Sequence, residues 1–206
     1  MTDPTPRVGR PSRRARAVTD RVMRYQLIVI APSGADVVQF AGGWLFDRRM
    51  AGWDVDVLVP DARGERSDGE CQDAARSLRI LGVTTVDLHA GLASVVRGPE
   101  RAAGLAVAAD LLALDERIRE EVLEAVRSGI TEVALWGATR PAKVGGRVDT
   151  TQYRLSAAAR AYKRHALAAV GLADREVGHT ERLYRSGYRP VDSDLMPVGR
   201  SAGAER

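Results

Sequence analysis

The sequence predicts an α/β protein, a Rossmann-like three-layer α/β/α sandwich with a mainly parallel sheet. Short segments that are continuously apolar or that alternate, as strands do, recur along the chain. Segments with helical spacing separate them, and four such alternations favour parallel strands joined by crossover helices. The chain has 206 residues and 45% hydrophobic content, which is enough for one domain with a full core.

The first strand and helix lie at 24–32 and 36–53. The strand is continuously apolar, which is typical of a strand covered on both faces. Asp36 is the expected N-cap or first-turn acid of the helix. Gly42 and Gly43 lie inside this helix, where each costs about 1 kcal/mol relative to alanine. We therefore expect the helix to pack closely against another backbone.

The remaining elements follow in chain order. A strand at 54–62, a helix at 71–83 closed by Gly82 and a strand at 84–90 precede the less regular stretch 91–104. One helix is predicted over 109–129, ended by Gly129, then a strand at 131–139 and a helix over about 150–170. A short final strand is expected within 179–191. The helix at 109–129 has an apolar face formed by Leu111, Leu114, Ile118, Val122 and Val126.

Charge and composition divide the chain into a disordered basic tail (1–22), a single α/β domain (23–190) and a flexible C-terminal tail (191–206). Seven arginines, the first at Arg7 and the last at Arg24, lie between Met1 and Arg24, against two acidic residues, Asp3 and Asp20. This surplus exceeds the net charge of +4 of the whole chain, so the body is nearly neutral. The tail is a candidate contact for nucleic acid, an anionic surface or a protein partner.

Cysteine content and hydropathy predict a cytoplasmic protein. The only cysteine, Cys71, excludes an intrachain disulfide and a multi-cysteine metal site. No stretch approaches the roughly 20 apolar residues of a membrane span. The Arg13-Arg14 pair is not followed by the apolar segment of a secretory signal.

Ligands of such sheets bind beyond the carboxyl ends of the strands. The loop after the first strand, PSGAD, lacks the glycines of a dinucleotide site, and the chain has no G-K-[ST] phosphate loop. Ser33 lies at a strand-to-helix turn but in no G-x-S-x-G motif. The chain has no pair of histidines at a spacing typical of a zinc site, such as H-x-x-x-H or H-x-D-H. The ligand-binding candidates in the loops are Asp36, Asp61, Glu70, His89, Trp136 and Arg140.

Four motifs follow one another between Ile28 and Val83. They are the loop PSGAD, the Gly42-Gly43 pair, MAGWDVDVLVPD and ECQDAARSLRILGV. In this order they resemble the PIG-L/LmbE-like family of zinc-dependent N-acetylglucosaminyl deacetylases. That family runs from a first strand into a P-H-P-D-D or A-H-P-D-D-E loop, then a helix with a Gly-Gly pair, a second strand and a helix ending in L-G-V.

The resemblance implies a degenerate zinc site. Ser33 stands at the position of the first zinc-binding histidine, and Ala35 replaces the aspartate that serves as general base. Asp36 matches the second aspartate, a zinc ligand, and Val37 replaces the usual glutamate. Without a ligand and the base, the loop lacks the groups that activate water and accept its proton.

The resemblance also places three later positions. Asp73 matches the glutamate of an R-x-x-E segment, and Glu70 falls where a substrate-binding arginine is expected, which reverses the charge. The third zinc ligand of the family comes from an H-x-D-H-like segment. RVDT, with Asp149 and Thr150, is the nearest candidate here.

These observations predict a divergent deacetylase-fold protein without zinc hydrolase activity and with no cofactor. It would act as a subunit that binds a sugar-like ligand, a protein partner or a second copy of itself. One alternative is an active metal-dependent N-acetyl-sugar deacetylase or hydrolase with a rearranged site, which would hold zinc. Such an enzyme would use Asp36 with His89, or with Asp61 and Glu70, either around a metal or for acid–base chemistry on a glycosyl substrate. The other alternative is a polyanion-binding module that uses the arginine-rich tail.

Overall fold

One twisted sheet organises the part of the chain that the computed structural model describes, which is residues 25–60, 68–88, 102–137, 141, 144, 146, 148–188 and 194–197. Eight strands in these residues follow the order β3-β2-β1-β4-β5-β7-β6-β8. Their bounds are β1 Gln26–Ile30, β2 Asp54–Val59, β3 Thr84–Asp87, β4 Gly104–Ala108, β5 Glu132–Trp136, β6 Asp149–Arg154, β7 Thr180–Gly187 and β8 Met196–Pro197.

Strands β1 to β5 are mutually parallel, and β7 joins β5 antiparallel. Five helices lie in the described residues: α1 Gly34–Met50, α2 Asp68–Ile80, α3 Leu111–Leu114, α4 Glu116–Ser128 and α5 Ala157–Ala169. Helices α1, α2 and α5 pack on one another as one layer. From β1 the sheet extends through β2 to β3 on one side and through β4 to β5 on the other. Because crossovers between parallel strands are right-handed, helix α4, which precedes β5, lies on the sheet face opposite to that of α1 and α2. The predicted α/β sandwich is confirmed.

The prediction of one helix over 109–129 was wrong, because the structure has two helices there, α3 and α4, interrupted at Asp115. The strand before them, β4 at 104–108, was not predicted from the sequence. The Asp115 carboxylate accepts hydrogen bonds from the N–H groups of Arg117 and Ile118 at 2.9 and 3.2 Å and so caps α4. Because the helix restarts there, Leu114 leaves the apolar face and is 80% exposed.

The helix predicted over about 150–170 was also too long. Residues 149–154 form β6, whose threonine pair and tyrosine favour an extended backbone. Helix α5 begins only after Ser156, whose Oγ accepts a hydrogen bond from the Ala159 N–H at 2.9 Å. Asp47 in α1 fixes this cap, because its carboxylate accepts from both Ser156 N and Ser156 Oγ.

The C-terminal boundary predicted at 190 is too early. Met196 and Pro197 pair with β6, and Leu195 is buried. Asp194 forms a 2.6 Å ion pair with Arg48, a buried side chain at the end of α1. The segment 194–197 is therefore part of the folded body, because it supplies both a core side chain and a charge partner.

Gly43, the second residue of the double glycine in α1, contacts a buried ion pair. A Cβ on Gly43 would lie 2.6 Å from Leu155 Cδ2, so the close neighbour is a side chain and the predicted backbone contact is not found there. The N–H groups of Gly43 and Trp44 donate to the two Glu181 oxygens at 2.9 and 2.7 Å. Lys163 binds the same carboxylate and also donates to the Gln39 carbonyl at 2.8 Å. This contact fixes α1 against β7 and α5.

No helix in the described residues is long and apolar enough to cross a membrane. The tail with Arg7 to Arg24 lies outside the described residues.

Candidate functional site

The loop PSGAD leads from β1 into α1, at the carboxyl edge of the parallel strands. Ser33 has an extended backbone (φ −162°, ψ 160°) and is the N-cap of α1. Its Oγ accepts a hydrogen bond from the Asp36 N–H at 3.1 Å. The hydroxyl at the position of the family's zinc-binding histidine therefore satisfies a helix N–H group that would otherwise lack a partner.

Asp36, in the first turn of α1, contacts the end of β5. Its Oδ2 accepts a hydrogen bond from Trp136 Nε1 at 2.7 Å, across 100 residues of sequence. Trp136 is fully buried, whereas Asp36 is half-buried. The structure thus brings together two of the residues named from sequence, and the indole serves both as core and as donor to the carboxylate.

A second carboxylate, Asp110, lies near Asp36. It follows β4, the strand between β1 and β5, and is exposed. Burial raises the pKa of Asp36, the indole hydrogen bond lowers it, and the negative charge of Asp110 raises it further. Sequence analysis did not identify Asp110 because the stretch GLAVA was not recognised as a strand. The acid that follows this short apolar run was the available signal.

The other candidates do not join this pair in the described residues. Asp61, His89 and Arg140 lie outside them, and for Glu70 in α2 only the backbone is described. Asp73 lines an open groove of about 700 Å³ between α2 and the edge strand β3. The ligand-binding roles proposed for Asp61, Glu70, His89 and Arg140 stay predictions, as does the match of Asp73 to the glutamate of R-x-x-E.

Asp149 and Thr150, which the alignment made the third ligand position, begin β6. Strand β7 lies between β6 and β5, so two strand spacings, about 10 Å at the usual 4.8 Å per strand, separate β6 from β5. Asp36 contacts Trp136 at the end of β5. The role of Asp149 and Thr150 at the third ligand position stays a prediction.

A zinc ion does not fit the described residues of this site. A catalytic zinc takes three protein ligands, usually imidazole, thiolate or carboxylate. Within the described ranges no three histidine, cysteine, aspartate or glutamate side chains cluster. Ser33 offers only a neutral hydroxyl, Ala35 offers nothing, and Asp36 has one oxygen bound by an indole N–H.

Solved structures identify the fold. A deacetylase in complex with teicoplanin, from the biosynthesis pathway of teicoplanin, superposes with a TM-score of 0.60 at 14% identity, over 82% of this chain and 100% of that chain. The N,N'-diacetylchitobiose deacetylase of Pyrococcus horikoshii superposes with a TM-score of 0.52 at 14% identity, over 73% of this chain and 71% of that chain. The chain has a PIG-L-like fold.

The PIG-L-like fold is not confined to deacetylases. GalB, the 4-carboxy-2-hydroxymuconate hydratase of Pseudomonas putida KT2440, superposes with a TM-score of 0.57 at 14% identity, over 83% of this chain and 99% of that chain. No protein-family profile and no curated protein matches the sequence. At these identities the likeness establishes the fold and leaves the chemistry to the site.

Proposed function

We propose that this PIG-L-fold protein has no zinc hydrolase activity and acts as a binding subunit for a sugar-like ligand or a partner. The observation that supports this proposal is the hydrogen bond that the Asp36 carboxylate accepts from Trp136. The one ligand-type side chain in the PSGAD loop accepts a hydrogen bond from Trp136, and the neighbouring Ser33 caps a helix. The position of the family's general base is occupied by Ala35, which has no carboxylate.

The proposed ligand site is the carboxyl edge of β1, β4 and β5, where Asp36 and Asp110 lie. Carboxylates accept hydrogen bonds from hydroxyl groups, so this edge suits a neutral ligand rich in hydroxyls better than an anion. Two structural neighbours are named as a deacetylase of the teicoplanin biosynthesis pathway and an N,N'-diacetylchitobiose deacetylase, and the second name is compatible with a carbohydrate-like ligand here.

The test combines hydrolysis and binding. Purified protein loaded with zinc is assayed for release of acetate from N,N'-diacetylchitobiose, with Asp36→Ala as the control. We expect no rate above the control. Binding of the same sugar is measured by saturation-transfer NMR, and we expect a signal that Asp110→Ala weakens. Acetate release above the Asp36→Ala control would contradict the proposal.

A second candidate function is acid–base catalysis without zinc. Asp36 and Asp110 follow adjacent parallel strands, and burial raises the pKa of Asp36, which is the direction that favours a general acid. The hydratase with this fold shows only that other chemistry occurs on it. A metal-independent turnover that disappears in both Asp36→Asn and Asp110→Asn would favour this candidate over a binding subunit.

A further inference from the structure

Two tryptophans in this fold are equally buried but differ in their polar contacts. Trp136 is fully buried, and its indole N–H donates to Asp36 at 2.7 Å. Trp44, in the middle of α1, is 1% exposed, and its indole N–H has no hydrogen-bond partner among the described residues. The pairing of Trp136 is therefore not a general property of buried indoles in this chain.

The Asp36 carboxylate needs a partner because burial disfavours its charge. At a metal site, the ion would supply that partner and would tie the loop to the neighbouring strands. Among the described residues the Trp136 indole is the only side chain that donates a hydrogen bond to Asp36, and the nearby Asp110 charge opposes ionisation. The contact joins the first turn of α1 to the last residue of β5.

We propose that the hydrogen bond from Trp136 to Asp36 takes the place of a bound metal ion at this junction. Asp36 is then a positioning residue, which holds the loop before α1 on the end of β5 without any cofactor. This inference rests on the proposed function, since a zinc hydrolase would need the same carboxylate as a ligand. The donor set supports it, because Ser33 and Ala35 supply no charged ligand.

The first experiment compares Trp136→Phe with Trp44→Phe in the full-length protein. Both variants remove the same indole atoms from a buried site, but only Trp136→Phe leaves a carboxylate without its donor. We expect Trp136→Phe to lower the melting temperature by about 3–8 °C more than Trp44→Phe does. Equal losses in the two variants would overturn the inference.

A spectroscopic measurement separates the hydrogen bond from simple packing. The indole N–H resonance of Trp136 is assigned in a ¹H–¹⁵N spectrum by its loss in Trp136→Phe. In the wild type we expect this resonance to be shifted downfield and slow to exchange with solvent. Asp36→Asn keeps an acceptor oxygen and should preserve both properties. Asp36→Leu should abolish both. A resonance that does not respond to Asp36→Leu would overturn the inference.

Metal addition distinguishes failure of this inference from failure of the proposed function. We expect the melting temperature and the indole resonance to be unchanged by EDTA and by a tenfold excess of zinc. Stoichiometric zinc that moves the Trp136 resonance and is lost in Asp36→Ala would overturn both proposals, because Asp36 would then be a ligand. Equal losses in the two tryptophan variants without zinc binding would overturn the inference alone.

Discussion

Replacing Glu181 by leucine tests how strongly the buried ion pair stabilises the fold. The Glu181 carboxylate is fully buried and binds Lys163, and it also accepts from two N–H groups inside α1, those of Gly43 and Trp44. Burial raises the pKa of Glu181, and the Lys163 ammonium together with the two N–H groups lowers it. Glu181→Leu leaves the buried ammonium of Lys163 without its counter-charge.

The expected loss follows from that uncompensated ammonium. Removing one partner of a buried pair costs about 3–5 kcal/mol in free energy of unfolding. The two N–H groups of α1 add little, because they can return to the carbonyls of Gln39 and Phe40, their regular acceptors four residues back. For a chain of this size each kcal/mol shifts the melting temperature by about 2–4 °C, which gives a decrease of about 6–20 °C.

Urea denaturation followed by circular dichroism measures the change. The double variant Lys163→Met/Glu181→Leu removes both charges and is expected to recover most of the loss, to within about 2 kcal/mol of the wild type. The matched control is Glu124→Leu, which breaks the exposed pair of Glu124 with Arg127 in α4. Its expected effect is below about 1 kcal/mol, since exposed pairs contribute little.

Two results would refute this reasoning. If Glu181→Leu costs no more than Glu124→Leu, the carboxylate is not the buried partner of Lys163. If the double variant is as unstable as Glu181→Leu, the loss comes from packing and not from the unpaired ammonium.

Three further predictions concern single substitutions. Gly43→Ala places a Cβ 2.6 Å from Leu155 and should lower the free energy of unfolding, measured by urea denaturation, by about 1–3 kcal/mol. Gly42→Ala, whose Cβ has its nearest contact at 3.2 Å, should lower it less. Equal losses in the two variants would contradict the close approach at Gly43. Arg48→Met removes the buried guanidinium that pairs with Asp194 and Glu132, whereas Arg185 Nε stays 3.8 Å from Glu132 Oε1. We therefore expect about 3 kcal/mol lower stability and faster proteolysis after Asp194, and unchanged proteolysis would be the contrary result. Burial raises the pKa of Asp36 above 3.8, so the wild type loses stability as the pH rises from about 4 through that raised pKa. Asp36→Asn has no carboxyl group to titrate at this position, so its melting temperature relative to the wild type should increase over that pH range. A difference in melting temperature that stays constant with pH would refute this prediction.

Part of the candidate site was predictable from local sequence. The PSGAD loop between an apolar strand and a helix placed Ser33 and Asp36 at the carboxyl edge of the sheet, where the structure has them. Trp136 was named because it ends a strand. Asp110 was missed because GLAVA, five residues of mostly small side chains, has too weak a strand pattern to be separated from the helix that follows.

The alternation of strands and helices could be predicted from the sequence, because it follows from local hydrophobic periodicity and from residues such as Gly82 and Gly129, which end helices. The tertiary structure decided the strand order, the partner of Asp36 one hundred residues away, and the carboxylate of Glu181 that meets the α1 backbone. These contacts depend on which faces and strand ends become neighbours on folding. Apolar patterning specifies which face of an element is buried and does not specify its neighbour, so only the assembled sheet brings the indole of Trp136 to the carboxylate.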